Sequence, residues 1–224
     1  MSVSGLRVVV IGGGVGGLSA ALRLAHQGAR VTLVEKNHRV GGKLHLWESP
    51  HPGRPHDRPF RFDTGPSLIT LPQVFRQLFE AVGETLESHL TLHRLDPIQK
   101  YVWADGTELL SRADAAAMDA ELARFAPNDV AGWRAFFDRG KYVWDLSAEM
   151  FLWNAPEQLL NRKDEPFNPR KALSMLTIPL RIGMFSRFCK VVDKHVKHPR
   201  LREVLYQYAT YSGASPFLAP ATLA

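Results

Sequence analysis

Leu6 to Glu35 reads LRVVVIGGGVGGLSAALRLAHQGARVTLVE, and this stretch decides the fold class. Leu6 to Ile11 is a short, continuous apolar run, as expected of a strand buried on both faces. Gly12-Gly13-Gly14-Val15-Gly16-Gly17 follows directly. Leu18, Ala21, Leu22 and Ala25 then recur at helical spacing, and Gly28 stands where a glycine ends a helix. Arg30 to Val34 is a second β-rich run, closed by Glu35. The order predicts a βαβ unit with G-x-G-x-x-G at Gly12, Gly14 and Gly17 between strand and helix.

Each position has a physical reason. Gly12 permits the tight turn, Gly14 lets the backbone approach a pyrophosphate, and Gly17 lets the helix pack close to the strand. At the helix N-terminus, Val15, Gly16 and Gly17 offer free N–H groups and a partial positive charge to phosphates. Glu35 is placed to accept hydrogen bonds from ribose hydroxyls and to repel a 2′-phosphate. The pattern predicts dinucleotide binding. The competing reading is a glycine-rich turn whose site is vestigial.

Glu35 to Lys43 (EKNHRVGGK) runs on into a paired-glycine loop, Gly41-Gly42, with basic neighbours Lys36 and Lys43. Such a loop can bring backbone N–H groups and a cation to a second part of a long cofactor. With the glycine motif and Glu35, it resembles the FAD-binding N-terminus of the flavin amine oxidase and phytoene desaturase superfamily. Phe60 to Pro72 (FRFDTGPSLITLP) resembles the bacterial carotenoid desaturase pattern more sharply. So do Leu90 to Pro97 and the following Tyr101 and Asp105-Gly106-Thr107. The resemblance implies FAD as cofactor and places the Gly65-Pro66-Ser67 turn beside the isoalloxazine ring. A plain turn closing a hairpin, with Asp63 as a cap, is the other reading of those residues. It further implies a long polyene substrate, phytoene or a later carotenoid, losing a hydride to the flavin. No catalytic base is identified; Asp63 and Ser67 are the nearest acid and hydroxyl, with structural roles first.

Composition narrows the remaining classes. The chain has 224 residues, 45% hydrophobic and 22% charged, which excludes disorder, collagen and a disulfide scaffold. The lone Cys189 cannot form an internal bridge. No signal peptide or membrane-spanning run is read. The net charge of +6 is local: Arg170 to Arg202 holds nine Lys/Arg against one acid, Asp193, and the remainder is slightly acidic. These basic residues alternate with aliphatics, which suits an anionic membrane surface rather than nucleic acid.

Four prolines make Ser49 to Pro59 a loop. His45, His51 and His56 lack ligand spacing, so no metal is expected. Ile98 to Leu109 reads as a hairpin turning at Asp105-Gly106, and Ala113 to Phe125 as a helix. Asn128 is the expected N-cap of a helix reaching about Trp153, carrying Trp133, Phe136, Phe137, Val143, Trp144, Phe151 and Trp153. These aromatics are read as core packing or as the lining of an apolar substrate tunnel. Leu173 to Val196 is apolar and basic, and Pro179 and Gly183 prevent one straight helix. It is either a solvated basic face or a monotopic membrane element through which a lipid-dissolved substrate passes.

The expected fold is therefore α/β. Residues 1–112 form an FAD-binding, Rossmann-like βαβ part with an incomplete sheet. Residues 113–224 form a mostly helical substrate and membrane-contact part. One βαβ unit leaves sheet edges open, so the chain is expected to be the N-terminal part of a desaturase, working with a C-terminal half or as a homo-oligomer. The expected location is cytoplasmic and peripherally membrane-associated. Two other functions stay open. One is a different oxidoreductase of the superfamily, such as an amine oxidase. The other is a non-catalytic FAD- or lipid-binding fragment.

Overall fold

A computed structural model describes residues 2–54, 56–148, 152–153 and 177–223. It is a mixed α/β structure in two compact units, Met1–His93 and Arg94–Ala224.

In the first unit β1 (Arg7–Ile11) and β2 (Arg30–Val34) pair in parallel, joined by α1 (Val15–His26). Arg7 lies opposite Arg30 and Ile11 opposite Val34, and the Gly12 N–H extends the ladder to the Val34 carbonyl at 2.7 Å. Gly28 ends α1 as its sequence position implies. At φ +86° it donates to the Ala25 carbonyl, while the Ala29 N–H reaches Leu24, so the last carbonyls are satisfied.

One expectation fails here. β1 is not buried on both faces: Val8 and Val10 are half-buried, but Val9 and Ile11 are exposed, Ile11 by 87%. A two-stranded sheet with one helix against it has one covered face, and strand alternation turns every second side chain away from it.

β3 (Leu46–Ser49) and β4 (Phe60–Asp63) form an antiparallel pair. Trp47 lies opposite Phe62 and Ser49 opposite Phe60, so these four share one face; Leu46, Glu48, Arg61 and Asp63 share the other. The described part of the proline-rich connection has no helix or strand. α2 (Pro72–Glu80) follows, with proline at the first helical position.

The second unit opens with the antiparallel hairpin β5 (Gln99–Val102) and β6 (Glu108–Ser111), turning at Asp105-Gly106. By contacts this hairpin lies in the second unit. α3 (Ala115–Phe125) starts on Asp114, whose carboxylate accepts the Ala117 N–H at 2.9 Å. A 3₁₀ turn at Pro127–Asp129 leads into α4 (Val130–Ala148). Residues 177–181 are helical, and α5 (Phe188–His195) and α6 (Pro199–Tyr206) follow. Arg170, Lys171 and the start of the Leu173–Val196 segment lie outside the described residues, as does Phe151.

Leu109, Leu122, Phe136, Phe188, Val192 and Leu201 form the core of this unit. Trp133, Phe136 and Val143 of α4 are buried, whereas Phe137 and Trp144 are exposed. α4 and α5 approach closely because position 132 is glycine: a Cβ there would overlap the His195 carbonyl oxygen.

Asn128, the expected N-cap, lies within the 3₁₀ turn, and it is its neighbour Asp129 that binds backbone, just ahead of a different helix. Asp129 is buried, and its two oxygens accept the N–H groups of Lys197 (2.8 Å) and His198 (2.5 Å) at the start of α6. Asp129→Ala would orphan both donors, so a loss of about 2–4 kcal/mol is expected. Urea denaturation followed by tryptophan fluorescence measures it. A loss below about 0.5 kcal/mol would mean water replaces the carboxylate without cost.

Candidate functional site

The glycine loop sits between β1 and α1 as its spacing requires. Gly12 takes φ +100°, a conformation L side chains rarely adopt. A Cβ on Gly17 would overlap the Gly12 carbonyl oxygen, so α1 can start this close to β1 only with glycine there. Gly14 is the N-cap of α1, with no side-chain cap and no acidic residue in the first turn. Among the described residues, no group takes up the N–H of Val15, Gly16 or Gly17. Those donors and the helix dipole face outward together.

Glu35 lies beside this loop, but it does more than wait for a ribose. Its Oε2 accepts the Gly13 N–H at 2.6 Å, and its Oε1 accepts both the backbone N–H and the side-chain amide of Asn37 at 2.9 Å. The Asn37 backbone N–H, then that of Gly13, hold the Glu35 pKa below its ordinary value. Glu35 is thus ionised at neutral pH and accepts only.

Gly13 itself was missed. It occupies a free position of the motif, yet it is buried, and a Cβ there would fall 2.8 Å from Val40 Cγ1 and 3.2 Å from Glu35 Oε2. Three glycines in a row were the available signal.

The second glycine pair packs directly on the first. The Gly41 N–H donates to the Gly13 carbonyl at 2.7 Å, and Gly14 and Gly41 form a parallel bridge. A Cβ on Gly42 would fall 2.9 Å from the Gly14 Cα. The loop then leads to the third motif: a Cβ on Gly65 would overlap the Lys43 carbonyl oxygen. Both the N–H and the hydroxyl of Thr64 donate to the His45 carbonyl, at 3.0 and 2.7 Å. Gly12–Gly17, Glu35, Gly41–Lys43 and Gly65 are therefore one continuous backbone cluster. Pro66 and Ser67 extend from it into solvent, and the Lys36 and Lys43 side chains are exposed beside it.

Two glycines of the cluster are not demanded by its own packing. A Cβ at Gly16 would meet nothing within 4 Å, and one at Gly14 only the Gly42 Cα at 3.8 Å. The protein thus keeps these two positions bare where its own packing does not demand it. Open space beside unpartnered N–H groups is what a phosphate needs.

In the second unit, Met118, Trp133, Phe137 and Tyr208 line a cavity of about 470 Å³ with the Asp119–Arg134 ion pair at its wall. Burial pushes the Tyr208 phenol pKa upward. Elsewhere on this unit, residues 186–188 run beside 219–221, tied by Phe188 N–H to Ala219 O and Ala221 N–H to Ser186 O, each 2.8 Å. Phe185 and Leu218, flanking this pairing, are each 78% exposed, with the exposed Arg187 and Lys190 close by in sequence. No described helix is long and apolar enough to cross a membrane. Among the described residues no three His, Cys, Asp or Glu side chains gather as metal ligands.

Residues 15–181 match the family model for flavin containing amine oxidoreductases. The chain is 31% identical over 220 residues to a zeta-carotene-forming phytoene desaturase of Myxococcus xanthus, covering 98% of this chain and 40% of that protein. It is 32% identical to a 4,4′-diapolycopene oxygenase of a Methylomonas species, over 97% of this chain and 41% of that protein. It is 36% identical to a hydroxyneurosporene desaturase of Rhodobacter capsulatus, over 96% of this chain and 41% of that protein. The chain thus spans about two fifths of the length of these relatives. With a family match over three quarters of its length, this chain belongs to the flavin containing amine oxidoreductase family.

Proposed function

We propose that this chain supplies the FAD-binding and membrane-contacting part of a carotenoid desaturase. The observation that carries the reading is the single backbone cluster joining the glycine loop, Glu35, Gly41–Lys43 and Gly65. The names of the relatives give the substrate class: long polyenes or partly desaturated carotenoids.

In this reading the βαβ unit is Rossmann-like. The N–H groups of Val15, Gly16 and Gly17 hold the pyrophosphate, and Glu35 takes a ribose hydroxyl. Lys36, Gly42 and Lys43 border the same cofactor, and Gly65-Pro66-Ser67 turns beside the flavin ring. FAD held there would supply hydride acceptance from an allylic carbon, with a neighbouring proton released to solvent. The chain's own residues align the polyene and exclude water. The hairpin leading into Gly65 carries Trp47, Phe60 and Phe62 on one face, with Trp47 and Phe62 centroids 5.3 Å apart. Such an apolar platform fits a substrate without polar groups.

The second unit contacts substrate and membrane. Phe185 and Leu218 enter the interfacial layer while Arg187, Lys190, Lys194 and Lys197 meet anionic headgroups. Replacing these four cations by glutamate is expected to abolish co-sedimentation with vesicles containing phosphatidylglycerol. Unchanged co-sedimentation would remove the membrane role.

The function is tested by expressing the chain together with the C-terminal three fifths of one of these relatives in a carotenoid-producing host blocked at phytoene and separating the pigments by chromatography. Coloured polyenes are expected. A host that accumulates only phytoene, although the purified chain holds flavin, would take desaturation away and leave a flavin-binding protein.

A further inference from the structure

Residues 35–41 leave Gly13 and come back to it. At the start of the excursion the Glu35 carboxylate accepts the Gly13 N–H, and at its end the Gly41 N–H donates to the Gly13 carbonyl. One buried peptide is thus held from both sides, with Val40 packed where a side chain on Gly13 would stand. The Gly41 side of this clasp is backbone alone. The Glu35 side is a flexible chain of three torsions, and something has to fix it.

We infer that Asn37 is the positioning residue of this clasp: by holding Glu35 Oε1 with two donors, it aims Oε2 at the Gly13 N–H and keeps the glycine loop in shape before a dinucleotide arrives. A carboxylate has about four acceptor sites. Gly13 and the two Asn37 donors take three of them. The consequence for affinity rests on the FAD reading above; the clasp itself does not.

The surroundings leave this role to Asn37. Every group acting on Glu35 is a hydrogen-bond donor of Gly13, Lys36 or Asn37, and no charged side chain pairs with it among the described residues. On the same excursion, Arg39 is drawn to Glu48 at 3.8 Å and His38 lies edge-on to His45 with ring centroids 6.2 Å apart. The Lys36 side chain is exposed.

The test compares the full chain with Asn37→Ala and Asn37→Asp by two readouts. The first is the Gly13 amide resonance of ¹⁵N-labelled, FAD-free protein, followed as pH falls. Because the Glu35 pKa is depressed in the folded chain, the clasp holds above that pKa and opens as pH falls through it. Asn37→Ala, which keeps the backbone donor, is expected to move this midpoint up part of the way toward the ordinary glutamate value. Asn37→Asp should move it further, since two carboxylates then adjoin. The second readout is FAD affinity by fluorescence titration at pH 7.5, expected to weaken about three- to tenfold in Asn37→Ala, as loss of one solvent-exposed hydrogen bond implies. An unchanged Gly13 midpoint in both variants would overturn the inference, whatever FAD does. A shifted midpoint in a chain that binds no FAD would uphold the clasp and remove the cofactor reading.

Discussion

Gly14→Val is expected to abolish flavin retention while leaving the far-ultraviolet circular dichroism unchanged. The reason is a contrast between two glycines of one motif. A Cβ at position 17 would overlap the Gly12 carbonyl oxygen, so substitution there distorts the protein itself. At position 14 the only neighbour is the Gly42 Cα at 3.8 Å, an ordinary contact. The fold therefore has room for a Cβ at 14, and what does not tolerate one is whatever lies against the unpartnered N–H groups of α1. With a pyrophosphate there, an added isopropyl group should weaken binding by about a hundredfold or more, or ~3 kcal/mol. Gel filtration after incubation with FAD, with flavin absorbance read per protein, measures this. Equal retention by the variant would place the cofactor elsewhere.

Phe188→Ala is expected to destabilise the second unit by about 3–5 kcal/mol. Phe188 is wholly buried at the first position of α5, its ring edge-on to Phe136 at 6.1 Å. Its N–H also holds the 219–221 segment at 2.8 Å. Loss of the ring opens a void where α4, α5 and that segment meet, and rigid neighbours cannot close it. Chemical denaturation monitored by tryptophan fluorescence gives the value. A loss below about 1 kcal/mol would mean the helices collapse into the space.

The βαβ unit was legible because its signals are local. Glycine spacing, an uninterrupted apolar run and a terminal acid sit in thirty consecutive residues, and the helix-ending role of Gly28 came out as read. The hairpin at Asp105-Gly106 and the α3 helix were legible for the same reason. What was not legible depends on contacts far apart in sequence. Val9 and Ile11 looked like core, but whether an apolar strand residue is covered depends on how many elements lie against it. Nothing local marks Asp129 out beside Asn128; its partners are the N–H groups of Lys197 and His198, nearly seventy positions away. Phe137 and Phe136 are adjacent in an aromatic-rich helix, and only packing decides that one is core and the other lines a cavity.

The site divides in the same way. The three glycine groups were each recognisable, but nothing in their spacing said that Gly41 would bond to Gly13 or that Gly65 would press on Lys43. The free positions of the motif hid Gly13, and Asn37 carried no signal at all. Both matter only because Glu35 bends back onto its own loop. Pro66 and Ser67, by contrast, were named on resemblance, and their exposure leaves their role to the cofactor experiment.

The most direct test of the central claim is the visible absorption spectrum of the purified chain after incubation with FAD and removal of free cofactor. The account predicts the two bands of oxidised flavin at one equivalent per chain, shifted from those of free FAD by the backbone cluster around Gly65. A folded sample showing no flavin bands would contradict the claim that Gly12–Gly17, Glu35, Gly41–Lys43 and Gly65, arranged as they are, make an FAD site.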